Sequence, residues 1–310
     1  MVTADTTARG ASGNLTGIVA MIASMAAFVA NDTCVKLVHE SVPLGELILL
    51  RNGFATLMTL AFGIVFSGLA WPRNAPVRLL GWRLVGELLS TIFFLSGLVA
   101  LPIADATAIG QFTPLAITAA AAIFLKEHVG WRRWSAAISG LIGVLLIVRP
   151  GTAAFSPAAL LILAAVATVV LRDLATRYIS GAVSTLTLTL MSAAVGTLAG
   201  AMMLPFATWV TPSAKEIALI VVCALFLTLG YALVIVAMRN GEVATVSPFR
   251  YAVIPFALLS GWLVWGQLPD SIQMLGIAIL VAAGIYTFHR ERVVARVHPL
   301  GSPTPEAPAP

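Results

Sequence analysis

Apolar stretches of 15 to 24 residues recur from Leu15 to Phe288, separated by gaps too short to fold by themselves. No other feature constrains the chain as much. A helix needs about 20 apolar residues to cross a bilayer, and by that yardstick ten spans are predicted, at residues 15–37, 43–66, 79–100, 102–125, 134–148, 157–178, 184–206, 217–238, 243–265 and 272–288. Lipid satisfies no backbone amide, so each span must be a helix or part of a closed barrel. The continuous apolar runs lack the alternating polarity of barrel strands. With 59% apolar and 10% charged residues, against roughly a quarter charged in soluble proteins, a soluble fold is excluded. The expectation is an all-α integral membrane bundle.

The charges that remain report orientation. An even number of spans puts both ends on one face, which then carries Arg73, Arg78, Arg83, Lys126, Arg132, Arg133, Arg172, Arg177 and Arg239 together with Arg9, Arg290, Arg292 and Arg296, while Lys36, Arg149 and Lys215 lie opposite. Cytoplasmic loops are enriched in Lys and Arg, so both termini are predicted cytoplasmic, in a bacterial inner membrane. The cations sit at span ends rather than along an amphipathic face, which argues against nucleic acid as a partner. Cys34 and Cys223 both lie within apolar stretches and suit neither a disulfide framework nor a zinc site. No cofactor or metal is expected. The tails at residues 1–14 and 289–310 are too short to be domains, and the last ten residues have a disordered composition.

The fourth and fifth spans read Gln111-Phe112-Thr113-Pro114-Leu115, an apolar run, Lys126-Glu127, then Gly140 and Gly143. The ninth and tenth read Tyr251-Ala252-Val253-Ile254-Pro255, an apolar run, Gly266-Gln267, then Gly276 and Gly284. If ten spans are two fives, the second five enters the membrane from the opposite side, the inverted architecture of alternating-access carriers. The repeats are placed at residues 15–148 and 157–288 around a linker at 149–156.

Phe28-Val29-Ala30-Asn31-Asp32-Thr33-Cys34-Val35-Lys36-Leu37, Arg51-Asn52-Gly53-Phe54, Lys126-Glu127-His128-Val129-Gly130-Trp131, Val148-Arg149-Pro150-Gly151 and Trp265-Gly266-Gln267-Leu268-Pro269-Asp270 together resemble the drug/metabolite transporter superfamily, EamA type. That resemblance implies ten helices in two inverted five-helix repeats around a central cavity, moving small organic metabolites. At one point the chain departs from it: similar members commonly have Glu before Leu-Pro-Asp, where this chain has Gln267.

Ionisable residues at membrane depth are functional candidates by default. Asp32 and Arg51 fall in one half of the membrane and are expected to meet. Asp32 and Lys36 are also i,i+4 neighbours, so a structural network and a substrate or proton site are both open readings. Glu87 and Arg250 fall in the other half, where Arg250 either faces a cavity, binds carbonyls freed by Pro248 or snorkels to the headgroups. Pro114, Pro248 and Pro255 interrupt the fourth and ninth spans as candidate hinges, and Gln111, Phe112 and Tyr251 beside them offer polar and aromatic contact surface. Arg172 and Asp173 are expected at the interface, and Glu46, Asp105 and Glu242 as solvated carboxylates at helix ends. Gly196 and Gly200 have a GxxxG packing spacing.

His39, His128, His289 and His298 are scattered, and the chain has no HExxH, GxSxG or Walker A sequence; a transporter is therefore expected rather than an enzyme or an ATP-driven pump. The predicted role is secondary transport of an amino acid or related amphipathic compound, with export the first expectation and protons a candidate coupling ion. The alternatives are uptake of a cofactor-like compound such as a flavin or S-adenosylmethionine, and passive facilitation. A monomer or homodimer is expected.

Overall fold

The computed structural model describes residues 3–65, 76–127, 129–179 and 183–297. The expectations attached to Arg73, His128, His298 and the carboxy-terminal ten residues lie outside them. Among the described residues, ten helical spans are long and apolar enough to cross a membrane: Gly13–His39, Leu44–Val65, Val77–Ala100, Ile103–Phe124, Trp131–Val148, Ala158–Ile179, Leu186–Phe206, Ala214–Asn240, Ser247–Trp265 and Ser271–His289. The first helix begins at Thr3 and the last runs on to Val297, so both continue into segments read from sequence as tails. We call the face on which the first span begins and the tenth ends the terminal face, and the other the distal face.

Helix ends follow local chemistry. Ser213 and Glu216 form a reciprocal capping box at the start of the eighth span, satisfying two otherwise orphaned backbone donors. Gly266, at φ 64°, ends the ninth span in the left-handed conformation, where a side chain would be strained.

The packing obeys a two-fold rule. The first span packs on the eighth and the sixth on the third; the second packs on the eighth and the seventh on the third; the first packs on the ninth and the sixth on the fourth. Shifting every partner by five positions turns each of these contacts into the other. The second with the seventh, the fourth with the ninth and the fifth with the tenth are their own mates. Five is odd, so the two halves run in opposite directions: this is an inverted-repeat bundle.

Small residues at the two-fold crossings let backbones touch, which is how helices associate where lipid offers no hydrophobic driving force. A Cβ on Gly143 would reach the Gly276 carbonyl at 2.7 Å, and one on Gly276 would reach the Gly143 carbonyl at 2.6 Å. Gly200 lies so close to the second span that its Cβ would overlap the backbone of Leu49.

Polar clasps tie the repeats together on the distal face. Thr33 and Ser260 share a hydroxyl hydrogen bond of 2.6 Å, and Arg149 pairs with Asp270. Hydrogen bonds from Arg149 and from the backbone N–H of Gln273 hold the Asp270 carboxyl below the usual carboxylate range. Two carboxylates expected in solvent are instead buried. Glu46 accepts from the Val210 N–H at 3.0 Å, and Asp105 accepts from Gln273 Nε2 at 2.8 Å. Each begins a helix in one repeat with one carboxylate oxygen on a polar group of the other, while the second oxygen, Glu46 Oε1 or Asp105 Oδ1, is buried without a hydrogen-bond partner. Glu242 stays exposed. Lys36 does not pair with Asp32. Its ammonium donates to the carbonyls of Leu98 and Val99 (both 3.2 Å) and Leu101 (2.5 Å), orphan acceptors at the end of the third span, and lies 5.7 Å from the Trp265 ring centroid.

Candidate functional site

A cavity of about 280 Å³ lies at the centre of the bundle, lined from both repeats. Asp32, Arg51, Glu87, Gln111 and Arg250 all reach it. A second chamber of about 290 Å³ shares Gln111, Thr113, Arg172 and Arg250 with it and continues past Pro114 and Asp173 to Phe288.

Asp32 and Arg51 are brought close, but through an intermediary that sequence reasoning missed. Asn31 Nδ2 donates to Asp32 Oδ1 at 2.8 Å, while its Oδ1 accepts from Arg51 Nη1 at 3.4 Å. An amide has a donor and an acceptor end, so one side chain joins a carboxylate to a guanidinium that make no direct ion pair. The buried Nε of Arg51 has no hydrogen-bond partner.

Toward the terminal face the ionisable groups form a second network. Glu87 Oε2 accepts from Ser192 Oγ at 3.0 Å and pairs with Arg172 Nη1 at 3.6 Å, and Arg172 Nε donates to Asp173 Oδ1 at 2.8 Å. Arg83, counted from sequence as an interfacial cation, is buried and donates to Ser192 Oγ at 3.0 Å. Arg172 was likewise assigned to the interface; it does pair with Asp173, yet it also lines the cavity. A stretch of helix places it there: it sits seven residues inside the end of the sixth span, about 10 Å at 1.5 Å per residue. Arg250 is exposed to the cavity and the adjoining chamber and forms no hydrogen bond or ion pair among the described residues. It makes no hydrogen bond to the carbonyls near Pro248.

Breaks in the fourth and ninth spans shape the cavity wall. The fourth is two helices, Ile103–Gly110 and Thr113–Phe124, and the ninth opens as a 3₁₀ stretch, Ser247–Ala252, before the α-helix Val253–Trp265. Pro114 has no N–H for the carbonyl four residues back, and the Thr113 hydroxyl takes that Gly110 carbonyl at 2.7 Å. Pro114 lines the adjoining chamber, Pro248 is the second residue of the 3₁₀ stretch, and Pro255 is exposed. Phe112 and Tyr251 do not line the cavity. Phe112 packs into the hydrophobic core, and the buried Tyr251 ring meets Phe288 edge-on with centroids 6.3 Å apart, in space left by Gly284. The aromatic wall comes instead from Phe28, Phe94 and Tyr231, with Phe28 and Tyr231 edge-to-face at 5.3 Å. Sequence gave no signal for Tyr231, which is embedded in an unbroken apolar span.

Replacing Pro114 with Ala should leave membrane insertion intact and slow substrate movement several-fold, because a regular helix would recapture the Gly110 carbonyl and stiffen the break. Initial transport rates in vesicles check this; a rate equal to that of the unaltered chain would make Pro114 a packing feature only.

A model of the EamA-like transporter family matches residues 15–149 and matches again at 156–288. An S-adenosylmethionine uptake transporter of Rickettsia felis is 25% identical over 289 residues, 92% of this chain and 96% of that protein. A riboflavin transporter of Rhizobium johnstonii is 29% identical, covering 78% of this chain and 80% of its own length. A pseudopaline exporter of Pseudomonas aeruginosa is 25% identical, covering 87% and 94%. A crystal structure with 21% identity superposes with a TM-score of 0.60, over 92% of this chain and 99% of that one, and shares its fold.

Proposed function

We propose that this chain, which belongs to the EamA-like transporter family, is a secondary carrier that moves a small organic metabolite across a bacterial inner membrane by alternating access. One observation carries the reading: a largely apolar cavity with convergent charged and polar side chains sits at the interface of two inverted repeats, between two broken spans contributed one by each repeat. Irregular backbone at membrane depth is tolerated where it lines a cavity, and carriers built from inverted repeats place their binding sites there. The candidate contacts are Asp32, Arg51, Glu87, Gln111 and Arg250, and the candidate hinges are Pro114 and Pro248. Similarity to S-adenosylmethionine and riboflavin uptake transporters and to a pseudopaline exporter supports transport of metabolites in either direction. Among the described residues no metal-binding cluster is present, and coupling to protons or to the substrate gradient needs none.

Purified protein in liposomes should catalyse counterflow, with internal unlabelled substrate accelerating entry of the labelled compound. Flux without such trans-stimulation would identify a passive facilitator instead.

In this reading the terminal face is cytoplasmic, following its excess of Arg and Lys. A cysteine placed at Ser213 should react with an impermeant maleimide added outside intact cells, and one at Ser302 should not. The reverse pattern would invert the orientation.

A further inference from the structure

We propose that the transported metabolite carries a carboxylate and that Arg250 binds it, a refinement that rests on the carrier reading above. Each other charged residue lining the cavity is engaged: Asp32 and Arg51 by Asn31, Glu87 by Arg172 and Ser192, and Arg172 by Glu87 and Asp173. Arg250 alone among these described residues has no hydrogen bond or ion pair, and the charges it feels, Asp173 and Arg172, oppose each other. Asp173 is already held by the Arg172 Nε. A cation at membrane depth without a partner is costly, and its desolvation is offset when an anion arrives with the ligand.

The fold does not require this cation. Aligning Pro255 with Pro114 sets Arg250 opposite Ile109, whose side chain is fully buried in the core. The same place in the inverted repeat is thus apolar, and the guanidinium breaks the two-fold symmetry on the cavity wall. The 3₁₀ stretch Ser247–Ala252 turns it toward the shared boundary of the two chambers, where Gln111 and Thr113 supply neutral polar groups from the broken fourth span.

Charge balance selects the kind of anion. Arg51, Arg172 and Arg250 face Asp32 and Glu87 in the central cavity and Asp173 in the adjoining chamber; Glu87 and Asp173 are both held by Arg172 and Asp32 is linked to Arg51, so Arg250 is the positive charge left for a ligand to engage. A guanidinium matches a carboxylate in a two-bond fork. A phosphate monoester would bring nearly two negative charges beside two carboxylates. At the other end of the cavity Asp32 is placed to accept a hydrogen bond from an ammonium or amide, so an α-amino acid or an amino-acid conjugate fits the whole site.

The test compares acids with matched neutral analogues, using wild-type protein in liposomes and in thermal-shift assays. The panel holds methionine, phenylalanine and histidine beside their carboxamides, S-adenosylmethionine beside its decarboxylated form, and riboflavin as a ligand without a carboxylate. At least one acid should be preferred over its partner by roughly tenfold or more, as expected for loss of a charge-assisted pair. Arg250→Lys should keep the preference with weaker binding, and Arg250→Gln should bring the acid-to-analogue ratio close to one while its melting profile remains cooperative. Analogues that bind or exchange as well as the acids, riboflavin as the sole ligand, or a preference unchanged in Arg250→Gln would overturn the assignment and leave the carrier reading standing. If Arg250→Gln does not fold, the wild-type ratio and the Arg250→Lys variant decide. No binding or exchange of any compound would remove both readings together.

Discussion

Arg51→Gln is expected to lose about 3 kcal/mol of stability and nearly all transport, because the substitution leaves the half-buried Asp32 carboxylate at membrane depth without a balancing charge. Arg51 itself is only 4% exposed. Asp32→Asn should do comparable damage in the reverse sense. The double variant should recover most of the lost stability, since a neutral pair has no uncompensated charge to bury. Its transport separates the roles: recovery means that the two groups only brace the first and second spans, and continued failure means that one of them handles substrate or a proton. Asn31 adds a third corner to the cycle, because it joins the two groups; Asn31→Leu should weaken their coupling energy. Thermal midpoint and initial rate, read separately, check all of this. Strictly additive losses would mean that the three side chains act independently.

The second large effect is steric. Gly200→Val should reduce the yield of folded protein severely, with a penalty of at least 1–3 kcal/mol, because its Cβ would occupy the space of the Leu49 backbone and force the second and seventh spans apart. Gly53 is the control on the same pair of repeats. A Cβ there meets nothing within 4 Å, and Gly53→Ala should be neutral or stabilising by up to about 1 kcal/mol through helix propensity. Size-exclusion profiles of detergent-solubilised protein and their survival on heating measure both. Equal behaviour of the two variants would show that the close approach at Gly200 is not what holds these spans.

The ten spans could be read directly because a bilayer turns one physical requirement, about 20 apolar residues per crossing, into a one-dimensional signal. The inverted arrangement followed from parity. The site was harder. Asp32, Arg51, Glu87 and Arg250 announce themselves because charge is conspicuous in an apolar run, and all four reach the cavity. Asn31 and Ser192 are neutral and unremarkable in sequence; only packing shows that they connect charges. Tyr251 misled for a different reason. It lies beside Arg250 and near Pro255, but a 3₁₀ turn sends neighbouring side chains about 120° apart, so Arg250 lines the cavity and Tyr251 meets Phe288. The i,i+4 spacing of Lys36 and Asp32 leaves a pairing open, but three carbonyls at the end of the third span make a better set of acceptors.

Lys36 has a counterpart under the two-fold rule. It follows Asp32 by four residues near the end of the first span, as Arg177 follows Asp173 near the end of the sixth. The two cations therefore fasten opposite faces with different chemistry. Lys36 holds uncharged backbone oxygens, whereas Arg177 holds the carboxylate of Glu127 at 2.8 Å with both side chains substantially exposed. Dissolved ions screen attraction between exposed opposite charges over a Debye length of about 8 Å at physiological strength, and they weaken a part-buried ammonium on carbonyl dipoles far less. Electrolyte bathing the terminal face thus loosens that fastening selectively, so two halves that pack as mirror roles of one another are unequal in their response to salt.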